Sequence, residues 1–170
     1  MVKSSSVDTS TIEKIVDQTV DYLRNWASNE LDRLIANSDK TKLPIITNIG
    51  KNGYVVSNYA IYPLDNKWWR VCYRYSDQEH VFASKVAAIY YAICQQTGKY
   101  ITADQILKHD QEMGRYITKS DFFKNRFYQA TQRKNREKAE FFKIRYQETA
   151  IKLSQARSLL EKSLRSTKYF

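Results

Sequence analysis

The chain has 170 residues, a formal net charge of +10, and 42% hydrophobic and 14% aromatic residues. Its length fits one compact domain, with or without a helical extension. The two cysteines, Cys72 and Cys94, are too few for a disulfide framework and lack a metal-type spacing. No apolar run reaches the roughly 18 to 20 residues of a membrane span, and the N-terminus has no hydrophobic signal core. We therefore expect an intracellular protein, or one packed into a particle assembled in the cell, that is neither secreted nor membrane-bound.

The N-terminal region predicts a long helix after a short disordered segment. Residues 1–9 are mostly polar and are expected to be disordered. Ser10 and Glu13 have the spacing of a capping box, in which each side chain satisfies a backbone N–H of the first turn. Apolar residues then recur at three- and four-residue steps as far as Ala36, which predicts a helix from Ile12 with one buried face.

The next segment predicts a small antiparallel sheet. Tyr54–Tyr62 and Trp68–Tyr75 are rich in aromatic and β-branched residues, and Pro63–Asn66 between them has turn chemistry. These segments therefore predict a β-hairpin. Ile45–Ile49 and His80–Phe82 are candidates for short outer strands.

The second strand of this hairpin has two distinct faces. Trp69 and Val71 alternate with Arg70 and Arg74, so the two arginines should face away from the core. The apolar face should pack against a helix over Lys85–Gln96.

Two more helix signals follow the sheet. Ser84 is placed to cap the helix over Lys85–Gln96, and Gly98 should end it. Thr102 then opens another helix, which Gly114 is predicted to disrupt or end.

The last part of the chain predicts a basic helical arm. Gln111–Phe170 holds 15 Lys and Arg against 6 Asp and Glu, and the 56 residues after Gly114 contain no Gly or Pro. Such a segment favours helix. Because Thr131–Lys138 has no apolar residue, we predict a turn near Asn135 and a helical hairpin over about Ser120–Ser166. One continuous helix with a solvated middle is the alternative.

The predicted fold class is therefore α+β, with an N-terminal helix, a small antiparallel sheet packed on a helix, and a long C-terminal helical hairpin. We divide the chain into a disordered 1–9, an α+β body over 10–113, and a basic hairpin or coiled-coil arm over 114–170. The second half of the last helix outruns its predicted partner, so its leucines need another surface, from the N-terminal helix or a second subunit. These leucines, the predicted interaction surface, are Leu153, Leu159, Leu160 and Leu164.

Catalytic and metal-binding signatures are missing from the sequence. His80 and His109 have carboxylates nearby, but in no recognised acid–base or metal spacing. The four glycines are isolated, which excludes a glycine-rich phosphate loop, and no serine lies in a nucleophile elbow. We predict a protein that is not an enzyme, with no metal, no cofactor and no small-molecule substrate.

The basic arm also suggests an alternative function, nucleic-acid binding, because a cationic surface binds phosphates without regard to sequence. Interleaved glutamates are equally typical of an ordinary solvated helix face. The candidate residues combine the arm with the outer face of the sheet, namely Arg70, Arg74, Arg133, Lys134, Arg136 and Lys138.

Four segments carry a resemblance to a known group of proteins: GYVVSNYAIYPLDNKWWRV, HVFASKVAAIYYA, ITADQILKHD and ARSLLEKSLRSTKYF. Over about Gly53 to Phe170 the chain resembles small uncharacterised proteins encoded by tailed phages of marine bacteria. The resemblance implies a viral origin, and a location in the host cytoplasm or the virion. We therefore expect a non-catalytic accessory or virion-associated protein that acts through its helical arm, on a protein partner or on its own copies.

Overall fold

The computed structural model describes residues 9–18, 46–49, 53–65 and 68–165. These residues form an α+β fold in which a helix over 9–18 (α1) precedes a sheet and three further helices. The remaining elements are β1 (Ile46–Ile49), β2 (Gly53–Val56), β3 (Tyr59–Leu64), β4 (Trp68–Tyr73), β5 (Glu79–Phe82), α2 (Lys85–Gln96), α3 (Tyr100–Gln132) and α4 (Arg136–Arg165).

The N-terminal helix begins earlier than predicted. Residue 9 is already helical, so Ser10 lies inside α1 and is not its cap. The predicted disorder of residues 1–8 and the predicted continuation of the helix from 19 to Ala36 lie outside the described residues. Within α1, Ile12 and Val16 are buried, which confirms the predicted apolar face over this part of the helix.

The sheet is an antiparallel meander of five strands in the order β1-β2-β3-β4-β5. The prediction of one strand over Tyr54–Tyr62 was wrong, because the chain reverses at Ser57 and Asn58, with Ser57 at φ 52°. A two-residue reversal of this kind requires positive φ, and the pair Ser-Asn signals it more weakly than Asn-Gly does. The predicted outer strands are confirmed as β1 and β5.

Pro63 lies within β3 and not in the turn that follows. It pairs with Trp69 of β4, whereas the pairing of β3 with β2 stops at Ile61. Among the described residues Pro63 therefore pairs with one neighbouring strand, as is usual for proline, which has no N–H to donate to a second. The turn falls after it, where Asp65 has φ 55°.

The helix α2 is the centre of the core. Its bounds and its Ser84 cap are as predicted, and the Ser84 hydroxyl accepts a hydrogen bond from the Ala87 N–H at 3.4 Å. All residues from Val86 to Cys94 are buried, since the sheet packs on one side of α2 and α3 on another. Val71 of β4 is buried as expected.

Gly114 does not end a helix, contrary to prediction, because α3 runs through it without interruption. A Cβ at this position would lie 2.9 Å from Cζ3 of Trp68. The glycine therefore allows α3 to approach the Trp68 ring closely. Its helical neighbours outweigh the cost of one glycine, about 1 kcal/mol.

The predicted turn near Asn135 is confirmed, and the alternative of one continuous helix is wrong. The Asn135 N–H donates to the Ala130 carbonyl (2.9 Å) and the Lys134 N–H to the Thr131 carbonyl (3.1 Å). These two bonds form a Schellman motif, with Lys134 in the left-handed region at φ 55°. Asn135 then caps α4, because its Oδ1 accepts from the Lys138 N–H at 3.2 Å.

This turn predicts two substitutions of opposite effect on stability. Asn135→Ala should lower the free energy of unfolding by about 1 kcal/mol because it removes the cap. Lys134→Gly should raise it by up to about 1 kcal/mol, because glycine adopts positive φ without a Cβ clash. Urea unfolding followed by circular dichroism measures both. Equal losses in the two variants would contradict the Schellman geometry.

Candidate interaction surfaces on the helical hairpin

The predicted leucine surface is for the most part not a surface. Leu153, Leu160 and Leu164 are 0%, 0% and 1% exposed and belong to the chain's own core, whereas Leu159 is 46% exposed. The expectation failed because α3 begins at Tyr100 and supplies a partner along the whole length of α4. No second subunit is needed to bury these three side chains.

The outer side of α4 instead carries four large apolar side chains in solvent, and we call this set the α4 stripe. The stripe consists of Phe141, Ile144, Ile151 and Leu159, which are 51%, 44%, 50% and 46% exposed. At about 3.6 residues per turn they fall within about 80° of one another and point roughly away from the buried face of α4. Their span of 18 residues corresponds to about 27 Å along the helix.

Charged side chains lie beside the stripe. The Arg145 guanidinium lies 5.3 Å from the centre of the Phe141 ring and 3.4 Å from a carboxylate oxygen of Glu148. Along its whole length α4 has 8 Lys and Arg against 4 Asp and Glu, so the helix that presents the stripe has a net charge of +4.

The second candidate surface is the end of the hairpin, which we call the basic tip. It comprises the cationic residues of the predicted nucleic-acid site on the arm, and each is exposed: Arg133, Lys134, Arg136 and Lys138. None of the four forms an ion pair within the part of the chain that the structure describes. Glu137 is the acidic residue in the segment 131–138, so this segment has a net charge of +3.

The basic tip lies well away from the sheet. At Gly114, α3 still contacts Trp68 and Ala83 of the sheet side. From there to Arg133 the helix advances 19 residues, or about 28 Å. Along this distance α1 braces the hairpin, since Glu13 accepts a hydrogen bond from the Tyr128 hydroxyl and lies 3.9 Å from the Lys124 ammonium.

The structure separates the two arginines of the sheet from this surface and gives one of them a carboxylate partner. Arg70 faces away from α2 as predicted, but its Nε lies 3.4 Å from a Glu79 carboxylate oxygen. Arg74 lies beyond the end of β4, and its guanidinium covers the Tyr75 ring at 5.6 Å. Arg70 is therefore paired and both arginines lie far from the basic tip, so the residues on the arm are the part of the predicted nucleic-acid site that forms one surface.

Asp110 is the one buried carboxylate in the described part of the chain, and no pattern in the sequence marks it. It is 0% exposed and accepts hydrogen bonds from the N–H groups of Ala83 (2.7 Å) and Ser84 (3.1 Å). Burial raises the pKa of Asp110 to about 8, against the opposite effect of the two hydrogen bonds. Asp110 thus fastens α3 to the start of α2.

The other titratable residues singled out from the sequence are the two histidines and the two cysteines. The His80 ring packs edge-on against Tyr91 at 5.5 Å, and His109 has its Nδ1 buried. Burial raises the pKa of the Cys94 thiol to about 11 and also raises the pKa of Cys72, which disfavours the nucleophilic thiolate in both. Across the described ranges no group of three or more His, Cys, Asp or Glu could hold a metal ion.

None of the helices in the described ranges is both long and apolar enough to cross a membrane. No family model matches the sequence, and no curated protein or solved structure matches it. The α4 stripe and the basic tip are therefore the two candidate functional surfaces of the protein.

Proposed function

We propose that the chain is a non-catalytic, phage-encoded accessory or virion-associated protein that binds a partner protein along the α4 stripe. The observation that carries this proposal is the exposure of four large apolar side chains on one face of a helix whose opposite face is buried. The phage origin rests on the resemblance of the segments quoted above.

The spacing of the stripe suits a helical partner. Phe141, Ile144, Ile151 and Leu159 are separated by three, seven and eight residues, the steps at which a helix presents anchors to a second helix or a groove. Aromatic residues and arginine are also enriched at the energetic centres of interfaces, and Arg145 over Phe141 supplies both.

Charge favours an acidic partner over a second copy of this chain. Two copies paired along α4 would bring together helices that each have a net charge of +4, and like charges across an interface oppose binding. An amphipathic helix with Asp and Glu beside its apolar face would instead be attracted to Lys152 and Lys162, which are exposed on this side of α4. We therefore specify the partner as an acidic amphipathic helix of another protein.

Site-specific photo-crosslinking in the infected host tests this proposal. A benzoylphenylalanine is placed in the full chain at Ile144 or at Ile151, with Ile101 as the matched control because it is an exposed isoleucine outside the stripe (78%). We expect both stripe positions, and not the control, to crosslink to the same protein through an acidic helical segment. Crosslinks only to a second copy, or equal yields at all three positions, would overturn the proposal.

The identified partner then allows a binding measurement with purified proteins. The double substitution Ile144→Gln and Ile151→Gln should weaken binding by at least about tenfold, since anchors of this kind contribute more than about 1.4 kcal/mol in total. Ile101→Gln should leave the affinity unchanged. Thermal melting of all variants checks that folding is intact, which is expected because the three side chains are exposed. Unchanged affinity in the double variant would contradict the role of the stripe.

A further inference from the structure

The turn between α3 and α4 keeps a lysine where the backbone favours glycine. Lys134 occupies the left-handed position of the Schellman motif at φ 55°, a conformation that costs a residue with a Cβ about 1 to 2 kcal/mol. Glycine or asparagine is usual there. Backbone strain of this kind is found where a side chain has a role beyond stability, and the side chain retained here is a cation.

The surroundings of Lys134 concentrate positive charge without neutralising it. Elsewhere on the arm Lys124, Arg145 and Arg165 lie within 4.0 Å of a glutamate, at 3.9, 3.4 and 3.3 Å respectively. The four cations of the basic tip have no such neighbour among the described residues, and they differ from other unpaired cations of the hairpin, such as Lys119, in lying within a stretch of six residues. Their positive potential is therefore available to a ligand.

The backbone at the basic tip adds to this potential. The tip coincides with the N-terminus of α4, a helix of 30 residues, where the helix dipole places partial positive charge. Asn135 satisfies the Lys138 N–H with its side chain, and the other N–H groups of the first turn have no helical acceptor. The dipole and the side chains thus favour the same ligand charge.

We infer that the basic tip binds the phosphate backbone of duplex nucleic acid, independently of base sequence. Four cations spread over a turn and the first turn of a helix match a row of phosphates better than they match one small anion. A membrane surface is disfavoured, because the eight residues from Thr131 to Lys138 include no apolar side chain that could insert between lipids. This inference concerns the tip alone and does not depend on the α4 stripe.

Binding of the full chain to a random 20-base-pair DNA duplex across a salt series tests the inference. The triple substitution Arg133→Gln, Lys134→Gln and Arg136→Gln should reduce the slope of log K against log salt by up to about three units. At about 0.1 M salt the affinity should fall by about tenfold or more, since roughly three phosphate contacts are lost.

A matched variant removes the same charge elsewhere on the hairpin. Lys108→Gln, Arg115→Gln and Lys119→Gln change three exposed cations of α3 that lie outside both the basic tip and the α4 stripe, and this variant should keep most of the slope. Lys134→Gly alone should lower the slope by about 0.9 while the melting temperature rises, which separates loss of a contact from loss of folding.

The inference would be overturned if the unmodified protein did not bind DNA at about 0.15 M salt. It would also be overturned if the tip variant and its matched control lost equal affinity, or if the salt slope of the tip variant did not change. The fourth such result is tighter binding to phosphatidylserine vesicles than to DNA, with the same loss of affinity in the tip variant. A duplex of RNA serves as the second nucleic-acid probe. Binding to both duplexes, with the same loss in the tip variant, is the expected result.

Discussion

Replacing Leu160 by Ala should lower the free energy of unfolding by about 2–5 kcal/mol, the range for emptying a fully buried leucine site. The Leu160 side chain is 0% exposed and belongs to the hydrophobic core, where α4 packs against α3. Leu159→Ala is the matched control, because it removes the same atoms from the next residue, whose side chain is 46% exposed. That change should cost less than about 1 kcal/mol.

Urea unfolding of the two variants, with a common denaturant slope, measures this difference. The comparison tests whether the second half of α4 is buried against its own chain or is covered only when a partner binds. Similar small losses of unfolding free energy in both variants, together with a dimer in solution, would show that Leu160 belongs to the predicted interaction surface. A large loss in Leu160→Ala alone identifies it as part of the monomer's core.

Local chemistry made much of the fold predictable. Ser84 predicts the start of α2, because a hydroxyl residue just before an apolar helical pattern is typical of an N-cap. The polar run around Asn135 predicts a turn, because a helix that faces the core does not lack apolar residues over so many positions. Gly114 and Ser57 misled the prediction for a different reason. The role of each depends on a distant contact or a backbone angle, namely the Trp68 ring against Gly114 and the positive φ of Ser57.

The candidate surfaces were harder to predict because α4 is apolar on two sides. Periodicity finds both the buried leucines and the α4 stripe, but it cannot say which set meets the chain's own core. The length of α3 decides which set is buried, because α3 must be long enough to cover the second half of α4. The predicted length was too short because Gly114 was expected to disrupt or end the helix. The basic tip was predictable as charge, whereas its lack of neutralising glutamates depends on the fold.

Asp110 illustrates what a single sequence conceals most completely. In the sequence it follows His109 in a polar stretch, and nothing marks it as buried. In the fold its carboxyl group accepts hydrogen bonds from the N–H groups of Ala83 and Ser84, the two residues directly before α2. Removing that acceptor would leave two N–H groups without a partner at this junction, each at a cost of about 1–3 kcal/mol where water cannot reach it.

The stability of the protein should therefore depend on pH through Asp110. Its pKa is raised to about 8 in the folded chain by burial, against about 3.9 in an unfolded chain. Between about pH 4 and 8 the folded state holds a proton that the unfolded state has lost, so stability falls as pH rises, by up to about 1.4 kcal/mol per pH unit. The contribution is complete below pH 4 and is lost once pH passes 8.

Asp110→Asn removes the titration while it keeps the shape of the side chain. It is expected to be less stable than the unmodified protein at pH 4, since the amide offers one acceptor where the carboxyl group offers two. The difference in free energy of unfolding between the two proteins should then shrink or reverse as pH rises toward 8, because only the unmodified protein must bury a charge. Denaturant unfolding at pH 4, 6 and 8 gives this difference directly. Parallel pH profiles for the two proteins would show that the Asp110 carboxyl group is ionised in the fold at all three pH values, held so by its two backbone donors.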